Sequence, residues 1–341
     1  MKDKNKVFLE TVNLSKRFGE TLAVDKVSLK INRGEIRGLI GENGSGKSTI
    51  SSMISAIHTV TAGEMMVEGQ PYRPKSPGDA KRNGISMIVQ ESGTIEALSV
   101  AENIFLGDEQ RFSRRGMIDR VSMNREADRA LMAIGVTDVD VTAMMGTYNF
   151  EMRKLIEVAR AYYYEPKLFI VDETTTALSH SGREIIYELM EKLKGDGQAV
   201  LFISHDIPEL MKTCDVLTIL RDGKLVESIE AADFSEHRIK QAMVGREIKG
   251  DYYRSDYDPA HGERVMLEAR GIFGEEVSAV DLTLHEGEIL GLGGLSGCGM
   301  HRLGRMLFGL DHPSQGEVRA YDKHTGQLEP VTKVDRALKC G

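Results

Sequence analysis

The stretch EIRGLIGENGSGKSTISSMISAI, residues 35–57, joins a short apolar run, a glycine-rich turn and apolar residues at helical spacing. Its middle follows the pattern G-x-x-x-x-G-K-[ST] from Gly41 to Ser48. Small residues in such a turn let backbone N–H groups approach phosphate oxygens, and the following helix adds the positive end of its dipole. The stretch therefore predicts an α/β fold with a phosphate-binding loop between a strand and a helix. The structural alternative is a glycine-rich turn that carries an ordinary surface lysine.

The ligands expected at this loop are ATP and Mg²⁺. Lys47 is placed to reach the β- and γ-phosphates, and the Ser48 hydroxyl is a ligand for Mg²⁺. The predicted nucleotide contacts are Gly41, Glu42, Asn43, Gly44, Ser45, Gly46, Lys47, Ser48 and Thr49.

Three other apolar runs end in polar side chains. KLFIV is followed by Asp172 and Glu173, ISMIV by Gln90, and AVLFIS by His205. Because the carboxyl ends of parallel strands form the ligand-binding edge of an open α/β sheet, we expect these side chains to gather around the phosphates. Asp172 would orient Mg²⁺, while Gln90 would reach Mg²⁺ or the attacking water. Glu173 would polarise that water and His205 would contact the γ-phosphate. Each alone is more typical of a solvated strand end or a capping residue.

Composition narrows the class of protein. The 341 residues are 41% hydrophobic and 28% charged, as in a soluble globular protein. A formal net charge of −8 argues against nucleic-acid binding, which usually needs a basic stripe. The chain shows neither an export signal at its start nor an apolar run near the ~20 residues that span a bilayer. Three widely spaced cysteines favour a reducing cytoplasm, so a membrane role would require a partner.

An internal repeat organises the chain. VFLE at 7–10 recurs as VMLE at 265–268, and GEI at 34–36 recurs at 287–289. From GEI onward the matches share an offset of 253 residues, which pairs Gly41 with Gly294. The second copy stops at ALKCG, where the first copy begins its next strand, ISMIVQ.

This repeat predicts three segments. Residues 1–247 form a complete nucleotide-binding domain, 248–264 form a polar linker, and 265–341 form the opening part of a degenerate second domain.

Several motifs in residues 5–245 resemble those of ABC ATPase domains. GENGSGKST, Gln90, LFIVDE and SHD at 204–206 follow the order and approximate spacing of that family. Within it, SVAENIFLG at 99–107, AMVGRE at 242–247 and the partial duplicate look like the ATP-binding subunits of simple-sugar importers of the ribose, galactose and xylose type. The resemblance implies a P-loop NTPase, RecA-like core with an antiparallel β subdomain and a helical subdomain at about 91–165.

The resemblance also implies function and partners. The family couples ATP hydrolysis to transport through a membrane permease, which the helical subdomain would meet through ESGTIEALSV after Gln90. An extracytoplasmic sugar-binding protein would act through the permease, a second cassette would complete the ATPase, and the chain would lie on the inner face of the membrane. Phe18 occupies the place of the aromatic that stacks on adenine, although it could instead fill the adjoining β layer.

Two segments depart from the family pattern. YNFEM at 148–152 replaces the LSGGQ signature: Asn149 could still cap a helix, but Glu151 would place a carboxylate near phosphate. Like charges ~4 Å apart repel by about 1–4 kcal/mol, so this signature is expected to be ineffective. The second loop, GLSGCGMH at 294–301, has Met300 in place of Lys47 and His301 in place of Ser48.

These departures predict a single hydrolytic site in a complete protein, built from the first loop and the signature of the second cassette. The 341-residue chain is then expected to bind ATP and to hydrolyse it weakly. A module that senses nucleotide without efficient hydrolysis is the alternative. A soluble translation or repair factor would have two intact phosphate loops and a basic surface, and the chain has neither.

Overall fold

The computed structural model describes residues 6–89, 93–114, 116–245, 261–295 and 297–340. The chain forms two compact units, Met1–Ile248 and Lys249–Gly341. Each unit has its own buried apolar core.

The first unit contains thirteen strands in the ranges described. In chain order they are β1 (Val7–Phe18), β2 (Thr21–Val27), β3 (Lys30–Asn32), β4 (Ile36–Ile40), β5 (Ala62–Val67), β6 (Gln70–Pro71), β7 (Ile85–Ile88), β8 (Ser113–Arg114), β9 (Met117–Ile118), β10 (Leu168–Asp172), β11 (Ala199–Ile203), β12 (Val216–Arg221) and β13 (Lys224–Glu230).

Its helices, also in chain order, are α1 (Lys47–Ile54), α2 (Pro77–Arg82), α3 (Val100–Ile104), α4 (Arg120–Met132), α5 (Phe150–Tyr162), α6 (His180–Gly195), α7 (Ile207–Thr213) and α8 (Glu236–Val244). Four short 3₁₀ turns lie at Glu109–Phe112, Met145–Thr147, Thr175–Ala177 and Ala231–Asp233. Across the parts of the chain that the structure describes, no helix combines the length and the apolar character needed to cross a bilayer.

The core of the first unit is a six-stranded sheet in the order β13-β12-β4-β11-β10-β7. Only β13 runs antiparallel to its neighbour. Strands β4, β10 and β11 are buried along their whole length, which explains why their sequences are continuous apolar runs with little alternation. This arrangement confirms the predicted parallel α/β core.

Two smaller parts flank that sheet. Strands β1, β2, β3, β5 and β6 form an antiparallel five-stranded sheet. Helices α3, α4 and α5 pack on one another, and the β8–β9 hairpin lies in the chain between α3 and α4. Both the antiparallel β subdomain and the helical subdomain predicted from the resemblance are therefore present.

The second unit contains β14 (Val265–Gly274), β15 (Val277–His285), α9 (Met300–Leu307), β16 (Gln315–Asp322), β17 (Gln327–Pro330) and α10 (Val334–Cys340). Its strands form an antiparallel sheet in the order β15-β14-β16-β17. Helix α9 follows Gly299, whose φ is 84°, as α1 follows Gly46, whose φ is 100°. Both helices are eight residues long, so the local geometry repeats along with the sequence.

The repeat breaks at the segment that corresponds to β4. Residues 289–293, ILGLG, adopt no regular structure, and Ile289 is 84% exposed whereas its counterpart Ile36 is fully buried. In the first unit β4 is hydrogen-bonded between β11 and β12. The described residues of the second unit include no strands equivalent to those two, so the apolar segment lacks the neighbours that would make it a strand.

Candidate nucleotide-binding site

The glycine-rich loop depends on backbone shapes that other residues rarely adopt. Gly44 and Gly46 have φ of 83° and 100°. A Cβ on Gly46 would lie 2.7 Å from the carbonyl oxygen of Ala23, so the loop has no room for a side chain there. The glycines therefore hold the open turn that backbone recognition of phosphate requires.

Lys47 lies at the centre of this loop. Its Nζ donates to the carbonyl oxygens of Gly41, at 2.9 Å, and Glu42, at 3.1 Å, and lies 4.0 Å from Glu173 Oε1. Burial lowers the pKa of Lys47, and the charges of Glu173 and Asp172 act in the opposite direction. Lys47 is thus an enclosed cation at the point where phosphates were predicted to bind, and the surface-lysine alternative is wrong.

A polar atom in the loop also lacks a partner. Ser45 is 4% exposed, and its Oγ makes no hydrogen bond to any residue that the structure describes. A buried hydroxyl without a partner costs free energy, and a bound phosphate would satisfy it. The loop therefore fits the ATP that its sequence implies.

Asp172 ends β10 and is 1% exposed. It accepts hydrogen bonds from Ser48 Oγ at 3.4 Å and from Ser51 Oγ at 2.9 Å. Burial raises the pKa of Asp172, and the nearby charge of Glu173 acts in the same direction. The hydrogen bonds from Ser51 and Ser48 act in the opposite direction. The exposed Ser48 hydroxyl beside this carboxylate provides the oxygen ligands that Mg²⁺ prefers.

Ser51 is a site residue that the sequence reasoning missed. It lies three positions after Ser48 on α1, so both hydroxyls face Asp172 from the same side of the helix. The three-residue spacing between Ser48 and Ser51 is the feature of the sequence that could have predicted this contact.

Glu173 follows Asp172 in a left-handed conformation, with φ of 44°. Its backbone N–H donates to the carbonyl oxygen of Ile203 at 2.9 Å, which ties the ends of β10 and β11 together. Non-glycine residues in this region are uncommon and concentrate at functional sites. This backbone turn directs the Glu173 side chain towards Lys47, so that Glu173 Oε1 lies 4.0 Å from Lys47 Nζ.

The predicted strand ends share one edge of the sheet. Strands β4, β11, β10 and β7 are parallel neighbours in that order, so their carboxyl ends lie side by side. His205 lies two residues beyond β11 and is exposed at this edge. Gln90, two residues beyond β7, lies outside the described residues.

Phe18 ends β1 and is 42% exposed, so it does not fill the β layer. His58 meets its ring edge-on, with 5.1 Å between ring centroids, and Lys16 Nζ lies 5.0 Å from the ring centroid. The sequence reasoning missed both neighbours: Lys16 lies two residues earlier on β1, whereas His58 comes from the segment after α1.

Two side chains of the signature segment, residues 148–152, make hydrogen bonds within the first unit. Asn149 Oδ1 accepts from the Met152 backbone N–H at 2.9 Å, which confirms the predicted cap of α5. Glu151 Oε1 accepts from the backbone N–H of Ser179, at 3.2 Å, and from its hydroxyl. Since Ser179 caps α6, Glu151 links the beginnings of two helices.

The second glycine-rich loop, which begins at Gly294, packs like the first loop but lacks its lysine. A Cβ on Gly294 would lie 2.3 Å from Cys298 Sγ, just as one on Gly41 would lie 2.4 Å from Ser45 Oγ. Cys298 therefore packs where Ser45 packs. Met300 begins α9 in the place of Lys47, so this loop lacks the ammonium group.

A cavity of about 340 Å³ lies in the first unit among α2, β7 and α5. Its lining includes Lys81, Glu157 and Tyr164. Lys81 Nζ lies 3.0 Å from the centroid of the Tyr164 ring, and burial lowers the pKa of Lys81 to about 8. The cavity reaches Val89, the residue before Gln90, and so adjoins the segment expected to couple to a permease.

Known proteins resemble this chain in sequence and in fold. A sequence model of the family described as ABC transporter matches residues 24–176. The chain is 35% identical over 342 residues to the ribose import ATP-binding protein RbsA 1 of Burkholderia ambifaria, covering 98% of this chain and 65% of that protein. It is 37% identical over 329 residues to the ribose import ATP-binding protein RbsA 2 of Rubrobacter xylanophilus, covering 96% and 62% respectively. The chain thus spans less than two thirds of the length of these relatives.

Solved structures share the fold. A nucleotide-free ATP-binding cassette from an ABC transporter aligns with a TM-score of 0.59 at 23% identity, over 70% of this chain and 96% of that chain. A cassette dimer in a post-hydrolysis state, bound to ADP and Pi, aligns with a TM-score of 0.58 at 24% identity, over 66% and 100%. Taken with the loop around Lys47, these similarities show that the chain contains an ABC transporter ATP-binding domain, homologous to the ribose import ATP-binding proteins at about 35% identity.

Proposed function

We propose that this chain is the ATP-binding part of an ABC importer for a simple sugar. The observation that carries the proposal is the enclosed Lys47, held by the loop carbonyls 4.0 Å from Glu173 and beside the Ser48–Asp172 pair. The names of the relatives, ribose import ATP-binding proteins, support the substrate class.

Each residue has a definite role in this proposal. Lys47 and the backbone of the loop bind the β- and γ-phosphates, and Phe18 stacks on adenine. Ser48 and Asp172 hold Mg²⁺, together with Gln90; the metal neutralises phosphate charge when it is bound. Glu173 polarises the attacking water, and His205 contacts the γ-phosphate.

The proposed partners are membrane permease subunits, which would place the chain peripherally on the inner face of the membrane. An extracytoplasmic sugar-binding protein would deliver the sugar to the permease. The helical subdomain and the cavity beside Val89 would form the permease contact, since they adjoin the segment after Gln90.

We further propose that residues 1–247 are the first of two cassettes, 248–264 a linker, and 265–341 the opening of the second. The matching loop geometries at Gly46 and Gly299 support this division. Hydrolysis would then occur only where the first loop meets the signature of a second cassette, because Met300 removes the cation from the other site.

The alternative is a module that binds ATP without efficient hydrolysis. It is favoured by Glu151, whose carboxylate occupies the signature and is bound to Ser179. Under either proposal the 341-residue chain alone would turn over slowly.

Calorimetry with Mg-ATP and an ATPase assay test these proposals. Lys47→Ala should weaken Mg-ATP binding by about 10–100-fold, because it removes hydrogen bonds to charged phosphate oxygens. The matched control is Lys75→Ala, an exposed lysine outside the loop, which should bind as the wild type does. Unchanged binding in Lys47→Ala would overturn the site.

The turnover assay tests the weak activity that both proposals expect, and capture of a permease separates the importer from the sensing module. Brisk hydrolysis by the chain alone, abolished in Glu173→Gln, would contradict the weak-activity proposal. Nucleotide-dependent capture of a membrane permease would support the importer over the sensing module, and capture that ignores nucleotide would count against it.

A further inference from the structure

Two histidines and a glutamate meet at the open end of the β14–β15 hairpin in the second unit. One ligand atom from each of His261, His285 and Glu288 can be chosen so that all three lie within 4.8 Å of one another. His285 Nδ1 is 3.1 Å from Glu288 Oε2, and the rings of His261 and His285 stack with centroids 4.5 Å apart and planes 21° apart. Nothing in the nucleotide chemistry uses this cluster.

The backbone holds the three residues together. The N–H of Gly262 donates to the carbonyl of Glu286 at 2.8 Å, and the N–H of Glu286 donates to the carbonyl of Arg264 at 2.9 Å. These bonds extend the hairpin beyond β14 and place His261 opposite the end of β15. The backbone N–H of His285 also donates to Glu288 Oε2 at 2.7 Å, which holds that carboxylate beside the rings.

The position in the first unit that corresponds to His285 carries an asparagine. At the repeat offset of 253, Asn32 corresponds to His285 and Glu35 to Glu288. Asn32 Nδ2 donates to Glu35 Oε2 at 2.6 Å, so the same side-chain contact exists with a residue that cannot act as an imidazole ligand.

The charged neighbours of Glu288 also differ from those of Glu35 in the first unit. In the first unit Arg37 Nε donates to Glu35 Oε1 at 2.6 Å and compensates its charge. Leu290 stands at the corresponding place in the second unit, so Glu288 has no arginine there. Its carboxylate faces two imidazoles instead.

We propose that His261, His285 and Glu288 bind a divalent transition-metal cation of the zinc type. Imidazole nitrogens and a carboxylate are ligands that Zn²⁺ accepts, whereas Mg²⁺ prefers oxygen alone. Because the two rings stack, they must turn so that a nitrogen of each points at a shared position and reaches a Zn–N distance of about 2.0–2.1 Å; water would complete a tetrahedron. The bound metal would cross-link the start of β14 to the end of β15.

The test is a calorimetric titration of Zn²⁺ into the metal-free, full-length chain with excess Mg²⁺ present to occupy the oxygen-rich nucleotide site. The wild type should bind one equivalent. His285→Asn should weaken binding by at least about tenfold, because it installs the first unit's residue, keeps the hydrogen bond to Glu288 and removes the imidazole. His312→Gln is the matched control, an exposed histidine of the same unit outside the cluster, and should leave affinity unchanged.

Two further measurements keep the result interpretable. Mg-ATP affinity and the circular dichroism spectrum of His285→Asn should equal those of the wild type, which shows that the variant folds. Cys298→Ser should bind Zn²⁺ normally. Absence of saturable Zn²⁺ binding by the wild type, full binding by His285→Asn, or loss of binding in Cys298→Ser would overturn the proposal.

Discussion

At the residue scale, Asp172, the proposed Mg²⁺ ligand, lies where burial disfavours its charged form. Its carboxylate is buried at the end of β10, and burial raises its pKa. A carboxyl group whose pKa is higher in the folded than in the unfolded protein destabilises the fold above the folded pKa. That penalty disappears as the pH falls below the unfolded value.

Replacing Asp172 should therefore stabilise the nucleotide-free protein. We expect Asp172→Asn to raise the Tm at neutral pH, with the gain shrinking as the pH approaches the ordinary carboxyl range, and to abolish stabilisation by Mg-ATP. Thermal unfolding over a pH series measures both effects. Asp138→Asn, an exposed aspartate, serves as control and should change neither; a lower Tm for Asp172→Asn at neutral pH would contradict the argument.

Glu151 supports a second prediction at the residue scale. Its carboxylate accepts two hydrogen bonds from Ser179, near the positive ends of α5 and α6. Glu151→Gln should lower the free energy of unfolding by about 0.5–1.5 kcal/mol. Chemical denaturation of Glu151→Gln, Ser179→Ala and the double variant measures the coupling, and strictly additive losses would show that the contact contributes nothing.

At the scale of elements, β4 and its repeat show how far local sequence determines a strand. Both are short apolar runs that precede a glycine-rich loop and a helix of eight residues. Only β4 is a strand, because β11 and β12 supply backbone partners on both sides. Hydrophobic pattern predicts that a segment can form a strand, and pairing decides whether it does.

The two segments should therefore respond differently to the same substitution. Ile36→Ala removes a fully buried side chain and should cost about 2–5 kcal/mol of unfolding free energy. Ile289→Ala changes a side chain that is 84% exposed and should cost less than about 0.5 kcal/mol. Urea denaturation of both variants measures the difference; equal losses would mean that residues 289–293 are buried in solution.

At the scale of the whole molecule, two units with separate cores should unfold in separate steps. The residues proposed to bind nucleotide lie in the first unit, so Mg-ATP at 100 times its Kd should stabilise that unit by about 2.7 kcal/mol. Scanning calorimetry should show two transitions, of which Mg-ATP shifts one. Ile36→Ala identifies the transition of the first unit and Val318→Ala, in the second core, identifies the other. A single transition that moves in all three experiments would contradict this prediction.

The sequence by itself determined the parallel core, the glycine-rich loop from Gly41 to Ser48, and the carboxylates of Asp172 and Glu173 at the end of β10. These features follow from short-range physics, since apolar runs predict buried strands and glycines allow backbone conformations that other residues avoid. The repeat offset likewise predicted the match between α1 and α9.

Only the tertiary structure decided which distant groups meet. Ser51 reaches Asp172, Ser179 reaches Glu151, and His261 stacks on His285 because packing brings together residues that are far apart in the sequence. The same cause left residues 289–293 without strand partners. Their apolar pattern was visible in the sequence, but pairing depends on neighbours from elsewhere in the chain.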